Sequence, residues 1–311
     1  MKFSLIIPHY KNGKMTAYCI SQLQKYKGRH EIDIIIVDNS NGEGTEYIKP
    51  DLNTIIVQYP ADLLQSHGIA FDFALEHIPT ISEYFITLES DSFPTNDKWL
   101  DYYENLINEG YDMAGSRLKL SGGEYIHPAG AMWRKSLWRE AKELVKEYNI
   151  NYHYNDNSMK TIEFDYHGMY LKGGLMTQNE RYKPIWSSVF HQGQGFFNES
   201  IHTYSNRNIE HDKQFILPRS LSETYCRVGY EPGQWFSYWH YATGRKVKQI
   251  DTEIEWMNNR RNQQQEYTLT ENGVKHLWGV SAYHGASNDE LSDIIQRKAQ
   301  LTEELYSTIN N

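Results

Sequence analysis

The sequence predicts an α/β fold, a mostly parallel central sheet covered on both faces by helices and followed by a C-terminal extension. Three observations carry that expectation. Short apolar, β-branched runs recur through the first third of the chain, helical patterns separate them, and each run ends in a polar or turn-forming cluster.

The elements follow in order. Phe3 to Ile7 (FSLII) is a buried-strand pattern stopped by Pro8, and Lys14 to Tyr26 carries Met15, Cys19, Ile20 and Leu23 near helical spacing. Ile32 to Val37 (IDIIIV) is a second strand, ended by Asp38-Asn39-Ser40-Asn41-Gly42; Thr54 to Val57 is a third, ending before Pro60. A helix from about Gly68 to His77 precedes a fourth strand, Tyr84 to Leu88, which runs into Glu89-Ser90-Asp91. Asp97 to Ile107 is helical, with Trp99, Leu100, Tyr103 and Leu106 on one side. Met113 to Leu120 and Tyr125 to Trp133 read as later strands, and Lys135 to Tyr148 as an amphipathic helix. Asn149 to Ser158 is a polar loop. Past about Cys226 the pattern changes to Tyr- and Trp-rich loops and then polar helices. The expected division is therefore a domain over residues 1–225 with an extension over 226–311 packed on it.

Composition narrows the function. The chain has 311 residues, enough for a sizeable core, and a net charge of −9, so no global cationic field draws a nucleic-acid backbone. Nucleic acid is left open as a partner and is not favoured. The two cysteines, Cys19 and Cys226, stand far apart in no metal-like spacing, which suits a reducing compartment. No segment reaches the roughly 20 apolar residues needed to span a bilayer. The expectation is a soluble, cytoplasmic chain, with peripheral membrane association left open.

In open parallel sheets, ligands bind beyond the carboxyl ends of the strands. His9, Asp38, Asn39, Glu89 and Asp91 collect there. In an extended segment Glu89 and Asp91 would point to one side and could share a hard divalent cation; an acidic strand-end turn is the plainer alternative. Asp38 could accept from a base imide or cap its own turn.

Taken together, "FSLIIPHYKN", "IIIVDNSNGEGTEYI" and "YFITLESDSFP" resemble, in order and spacing, the family 2 glycosyltransferases of the GT-A fold. The resemblance implies a metal-dependent, inverting transfer from a nucleotide diphosphate sugar, a UDP-sugar being the expected donor, to a hydroxyl of a glycan or another acceptor. It implies that Pro8, with Ile7 and Tyr10, lines the base and that Asp38 recognises it. It makes Glu89-Ser90-Asp91 the family's DxD motif, with Glu89 and Ser90 on the donor side and Asp91 ligating Mn²⁺ or Mg²⁺. Glu in the first position departs from that motif. So does "SHGIAFDFALEHI", which keeps Gly68 and Ala70 but lacks the Arg expected beside the diphosphate.

Inverting transfer also needs a general base. By analogy with similar enzymes that base is Asp165 in "TIEFDYHGMYLKGG", opening a helix over Tyr166 to Leu171, with Glu163 as its nearest rival. His191 in "WSSVFHQGQGF" matches the histidine that many relatives place near the metal; His240, His276 and His284 compete for that role. Trp133, Trp186, Trp235, Trp239 and Trp278 could stack on an acceptor sugar, Trp235 and Trp239 most readily, although rings of this kind more often fill cores. Two other readings stand beside this one: a nucleotidyltransferase acting on sugar phosphates, and a carbohydrate-binding protein that has lost catalysis.

Overall fold

The computed structural model describes residues 1–59, 67–120, 123–149, 153–154, 159–166, 169–177, 189–190, 193–198, 225–230, 233, 236–237, 240, 243–257, 265–277 and 289–310. Its first half alternates β1 (Lys2–His9), α1 (Gly13–Lys25), β2 (Glu31–Asp38), β3 (Thr54–Gln58), α2 (His67–His77) and β4 (Tyr84–Thr87). A short β5 (Ser92–Pro94) and α3 (Trp99–Asn108) follow, then β6 (Met113–Leu120), β7 (Gly123–Ile126), β8 (Ala131–Arg134) and α4 (Lys135–Asn149). Five strands come next: β9 (His153–Tyr154), β10 (Met159–Tyr166), β11 (Met169–Thr177), β12 (Gly193–Asn198) and β13 (Tyr225–Tyr230). The chain closes with β14 (Val247–Ile250), β15 (Thr252–Met257), β16 (Gln265–Leu269), β17 (Val274–Leu277) and α5 (Asp289–Ser307).

The main sheet runs β14-β6-β8-β4-β1-β2-β3, with β7 paired to β6. Strands β1, β2, β3 and β4 are mutually parallel, as are β14 and β6, while β8 runs antiparallel between β4 and β6. This is a Rossmann-like sheet of the GT-A type. Alternation along β1 builds a core on each face. Leu5 and Ile7 face Met15, Cys19 and Leu23 of α1 and Trp99 and Tyr103 of α3. Ile6 faces Ala70, Phe71 and Leu75 of α2 and Leu137 and Trp138 of α4.

Pro8 fits the centre of this sheet because of where it falls. Ile6 O accepts from Leu88 N at 3.0 Å, so Pro8 faces the same flank, beyond the paired end of β4, where no ladder N–H is required.

Four sequence expectations change, the first being the polar loop Asn149 to Ser158, within which His153–Tyr154 form β9 and pair with β10. The run Tyr125 to Trp133 is two strands, broken at His127-Pro128-Ala129-Gly130, where Pro128 removes a donor and Gly130 takes a φ of 80°. The helix expected after Asp165 is instead the β10–β11 hairpin, in which Asp165 is opposite Tyr170; its β-branched and aromatic content, TIEFDY and MYL, outweighs the cap-like Asp. Among the described residues, the region past Cys226, expected as loops and polar helices, supplies four whole strands before α5. Of these, β14 extends the main sheet, and β15, β16 and β17 form a second sheet with β5.

Candidate active site

The site forms at the carboxyl ends of β1, β2 and β4, and its two halves are built differently. On the β1/β2 side the loops interlock. His9, buried at the end of β1, meets Thr16 Oγ1 at 2.9 Å through Nδ1 and Glu43 O at 3.2 Å through Nε2. Burial holds its imidazole below the usual range, hence neutral. Lys11 and Asn41 take left-handed φ values of 62° and 57°, and Gly44 one of 86°. A Cβ on Gly13 would lie 1.7 Å from Gly44 O, and one on Gly44 would lie 2.4 Å from Lys11 O, so both positions must be glycine for the loops to approach this closely.

Asp38 holds this loop together. Its Oδ1 accepts from Ser40 N at 2.7 Å and from Ser40 Oγ; Oδ2 accepts from Gly42 N and Gln58 Nε2, both at 2.7 Å. Burial raises this carboxyl, and the four hydrogen bonds outweigh it, leaving the group below the ordinary carboxylate range. With each oxygen already accepting two hydrogen bonds, Asp38 acts as the cap of its own turn. Pro8 is buried beside it, Tyr10 is half-buried, and Lys11 Nζ lies 5.4 Å from the Tyr10 ring centre. Ile7 is fully buried in the α1-side core and does not line the surface.

On the β4 side the acidic residues are not at an open mouth. Glu89 is 8 % exposed and Asp91 0 %, covered by β17, which pairs with β5 and whose Leu277 N donates to Asp91 O at 3.1 Å. The segment turns tightly, with Ser92 N donating to Glu89 O at 3.0 Å and Ser90 buried in the turn. The two carboxylates therefore converge through a turn, where an extended strand was expected.

They converge on His276. Its Nε2 is 3.1 Å from Glu89 Oε2 and 3.3 Å from Asp91 Oδ1. Burial pulls the imidazole down, but the charges of Asp91 and Glu89 push it up to about 9. Burial likewise raises Asp91, and the His276 charge reverses that, so Asp91 stays ionised. Lys298 of α5, itself buried, donates to Leu277 O at 2.6 Å next to this group. A protonated imidazole between two carboxylates thus resolves the cost of burying acid here. One donor atom from each of Glu89, Asp91 and His276 lies within 4.8 Å of the others; the two carboxylates suit Mn²⁺ or Mg²⁺, and the imidazole is acceptable to Mn²⁺. The residues fit such an ion.

Behind Glu89 stands His127, in the turn that breaks the former single strand, with Nε2 at 3.4 Å from Glu89 Oε1. Sequence reasoning missed it, although Pro128 and Gly130 within an apolar run were a signal. His276 was one of several competing histidines, and the pairing of β17 with β5 sets it against Glu89 and Asp91. His191, Trp186, Trp235, Trp239, Trp278 and His284 lie outside the described residues. His240 is buried on Phe236 and Trp133, and Trp133 is a core residue whose Nε1 donates to Thr87 Oγ1 at 2.7 Å. On the α2 side Gly68 is buried, and Asp72 accepts from Trp138 Nε1 at 2.6 Å and Phe190 N at 2.9 Å.

A parallel sheet with an acidic group at its carboxyl ends and an antiparallel strand beside it is the plan of the GT-A enzymes. Residues 4–169, more than half of the chain, match glycosyl transferase family 2, and the chain belongs to that family. Among solved structures it is similar to S. aureus TarS 1-349, at 20 % identity over 45 % of this chain and 49 % of that one, with a TM-score of 0.36. The complex of TarS 1-349 with UDP-GlcNAc gives the same identity and TM-score over 47 % of that chain. Galactosyltransferase LgtC, in complex with donor and acceptor sugar analogs, follows at 12 % identity over 49 % of this chain and 67 % of its own, with a TM-score of 0.33. The match thus spans about half the length of the TarS fragment. Comparison with curated proteins gives no match.

Proposed function

We propose that this chain transfers a sugar, with inversion, from a nucleotide diphosphate sugar to an acceptor hydroxyl, with UDP-sugar as donor and a glycan as acceptor. One observation carries the reading: residues far apart in sequence bring Glu89, Asp91 and His276 together at the carboxyl end of β4, in a family whose members act on such donors. Asp91, with Glu89 and His276, would hold Mn²⁺ or Mg²⁺. When bound, the ion supplies Lewis-acid stabilisation of the charge on the departing diphosphate.

The chain's own residues do the rest. The interlocked loops after β1 and β2 form a rigid floor for the base beside Pro8 and Tyr10, and Asp38 acts by fixing that floor. Ser90 sits between the two acidic residues on the donor side. Asp165 on β10 is the proposed base that takes the acceptor proton, with Glu163 on the same strand as its rival. Residues 1–225 would form the donor domain and 226–311 an extension packed on it, with β17 supplying His276. Among the described residues no helix is long and apolar enough to cross a membrane, which is compatible with a cytoplasmic enzyme acting on soluble or membrane-presented glycans.

The test is nucleotide release from a panel of UDP-, GDP- and TDP-sugars with and without Mn²⁺. Release of UDP from a UDP-sugar, dependent on the ion, is the expected result. Pyrophosphate release from a sugar phosphate and UTP would replace this reading with a nucleotidyltransferase, and sugar binding with no turnover would replace it with a lapsed enzyme.

A further inference from the structure

We propose that His127 is a positioning residue for the cation-side carboxylate. It locks Glu89 in the one orientation that lets Glu89, Asp91 and His276 act on a shared ion, and Tyr267 and the Ala129 backbone fix its tautomer. This rests on the reading of Glu89 and Asp91 as the divalent-cation site.

The tautomer follows from the neighbours of Nδ1. Ala129 N lies 3.2 Å away, and a backbone N–H can only donate, so Nδ1 must accept. Tyr267 OH lies 3.4 Å from the same nitrogen and 3.2 Å from Ser116 Oγ. Burial raises this phenol well above its ordinary range, so it keeps its proton. With Nδ1 accepting, the ring proton sits on Nε2, which faces Glu89 Oε1 at 3.4 Å.

The turn that carries the ring is fixed at both ends. His127 N donates to Ser116 O at 3.0 Å on β6, and Gly130 N donates to Thr87 O at 2.9 Å on β4. The ring is thus anchored to the strand that delivers the carboxylates. Glu89 is held from both sides, Oε1 by His127 and Oε2 by His276 at 3.1 Å, with the two rings 5.3 Å apart. A carboxylate gripped in this way cannot swing to make both contacts with one imidazole. One oxygen of Glu89 stays within 4.8 Å of ligand atoms of Asp91 and His276. Partners of this kind orient metal ligands and set their basicity.

The test uses Mn²⁺ alone, with free aqueous Mn²⁺ followed by electron paramagnetic resonance in titrations of the full chain. His127→Leu is expected to weaken Mn²⁺ binding about 10–100-fold. His127→Gln, whose amide N–H reaches the place of Nε2, is expected to recover most of that loss. Tyr267→Phe should lose less than His127→Leu, since the Ala129 N–H still fixes the tautomer. A long-range ¹⁵N–¹H spectrum of ¹⁵N-histidine-labelled wild-type protein gives a second readout that needs no variant to fold, and His127 is expected as the Nε2–H tautomer. The Nδ1–H tautomer, or equal Mn²⁺ affinity in wild type and His127→Leu, would overturn the positioning role while leaving the cation site standing. A wild-type chain that takes up no Mn²⁺ would overturn the cation site and this inference with it.

Discussion

The two halves of the candidate site satisfy buried acid in opposite ways. Asp38 is closed by donors from its own neighbourhood: Ser40, Gly42 and Gln58. Glu89 and Asp91 are closed by His276, 187 residues beyond Glu89, carried in on a strand that pairs with β5. The first arrangement is a turn that forms with its loop. The second exists only when the end of the chain has docked. Local closure leaves each Asp38 oxygen accepting two hydrogen bonds, whereas the long-range group is an ion-pair cluster in which a divalent ion would take the place of the His276 Nε2 proton.

That contrast can be broken at either end, and the largest effect is expected at the cation group. Asp91→Asn should leave the fold intact by circular dichroism while lowering UDP release by several kcal/mol of barrier, on the order of a thousandfold; wild-type turnover in this variant would remove Asp91 from the site. Asp165→Asn should keep donor binding, measured by calorimetry, and lose transfer by about 10²–10⁴-fold, the ordinary worth of a positioned base. If Glu163→Gln loses transfer and Asp165→Asn does not, the base moves two residues along β10.

On the local side, Asp38→Ala should cost about 3 kcal/mol in urea unfolding, because it strands donors that now meet a charged acceptor. The sign of its pH dependence follows from its lowered value. The Asp38 contribution is fully present above the ordinary carboxyl value of 3.8 and is lost as pH falls through the lower folded value. The wild-type chain should therefore lose more stability than Asp38→Ala on acidification below about pH 4. Parallel losses in the two would mean that the carboxylate is not held by its turn. The smallest effect is expected at Gly44. Its φ of 86° makes Gly44→Ala cost about 1–2 kcal/mol from the left-handed backbone, with further displacement of the Lys11 carbonyl. Nucleotide affinity should fall with it while Mn²⁺ affinity does not.

The same contrast explains what could be read from the sequence. Strands β1, β2, β3 and β4 and helices α1 to α4 were legible because β-branched runs, helical spacing and stop signals are local properties. A turn after Asp38 was marked as well, where Asn, Ser and Gly follow directly, but as the alternative to base recognition by Asp38. The strand break at His127 was marked by Pro128 and Gly130 yet hidden inside an otherwise apolar run. That His127 and His276 face Glu89 was not legible, because thirteen histidines offered several placements and long-range pairing, such as that of β17 with β5, brings these two to it. Asp165 looked like a helix cap because a carboxylate before a Tyr has no local feature that distinguishes a cap from a strand position. The β10–β11 pairing decides it.

The most direct measurement is a crystal soaked with UDP and Mn²⁺, with anomalous scattering recorded at the manganese edge. A single peak within ligand distance of both Asp91 and the UDP phosphates, with Glu89 or His276 completing the protein donors, is the predicted result. UDP bound with its phosphates away from the β4 terminus, or manganese absent while Glu89 and Asp91 still grip a protonated His276, would contradict it.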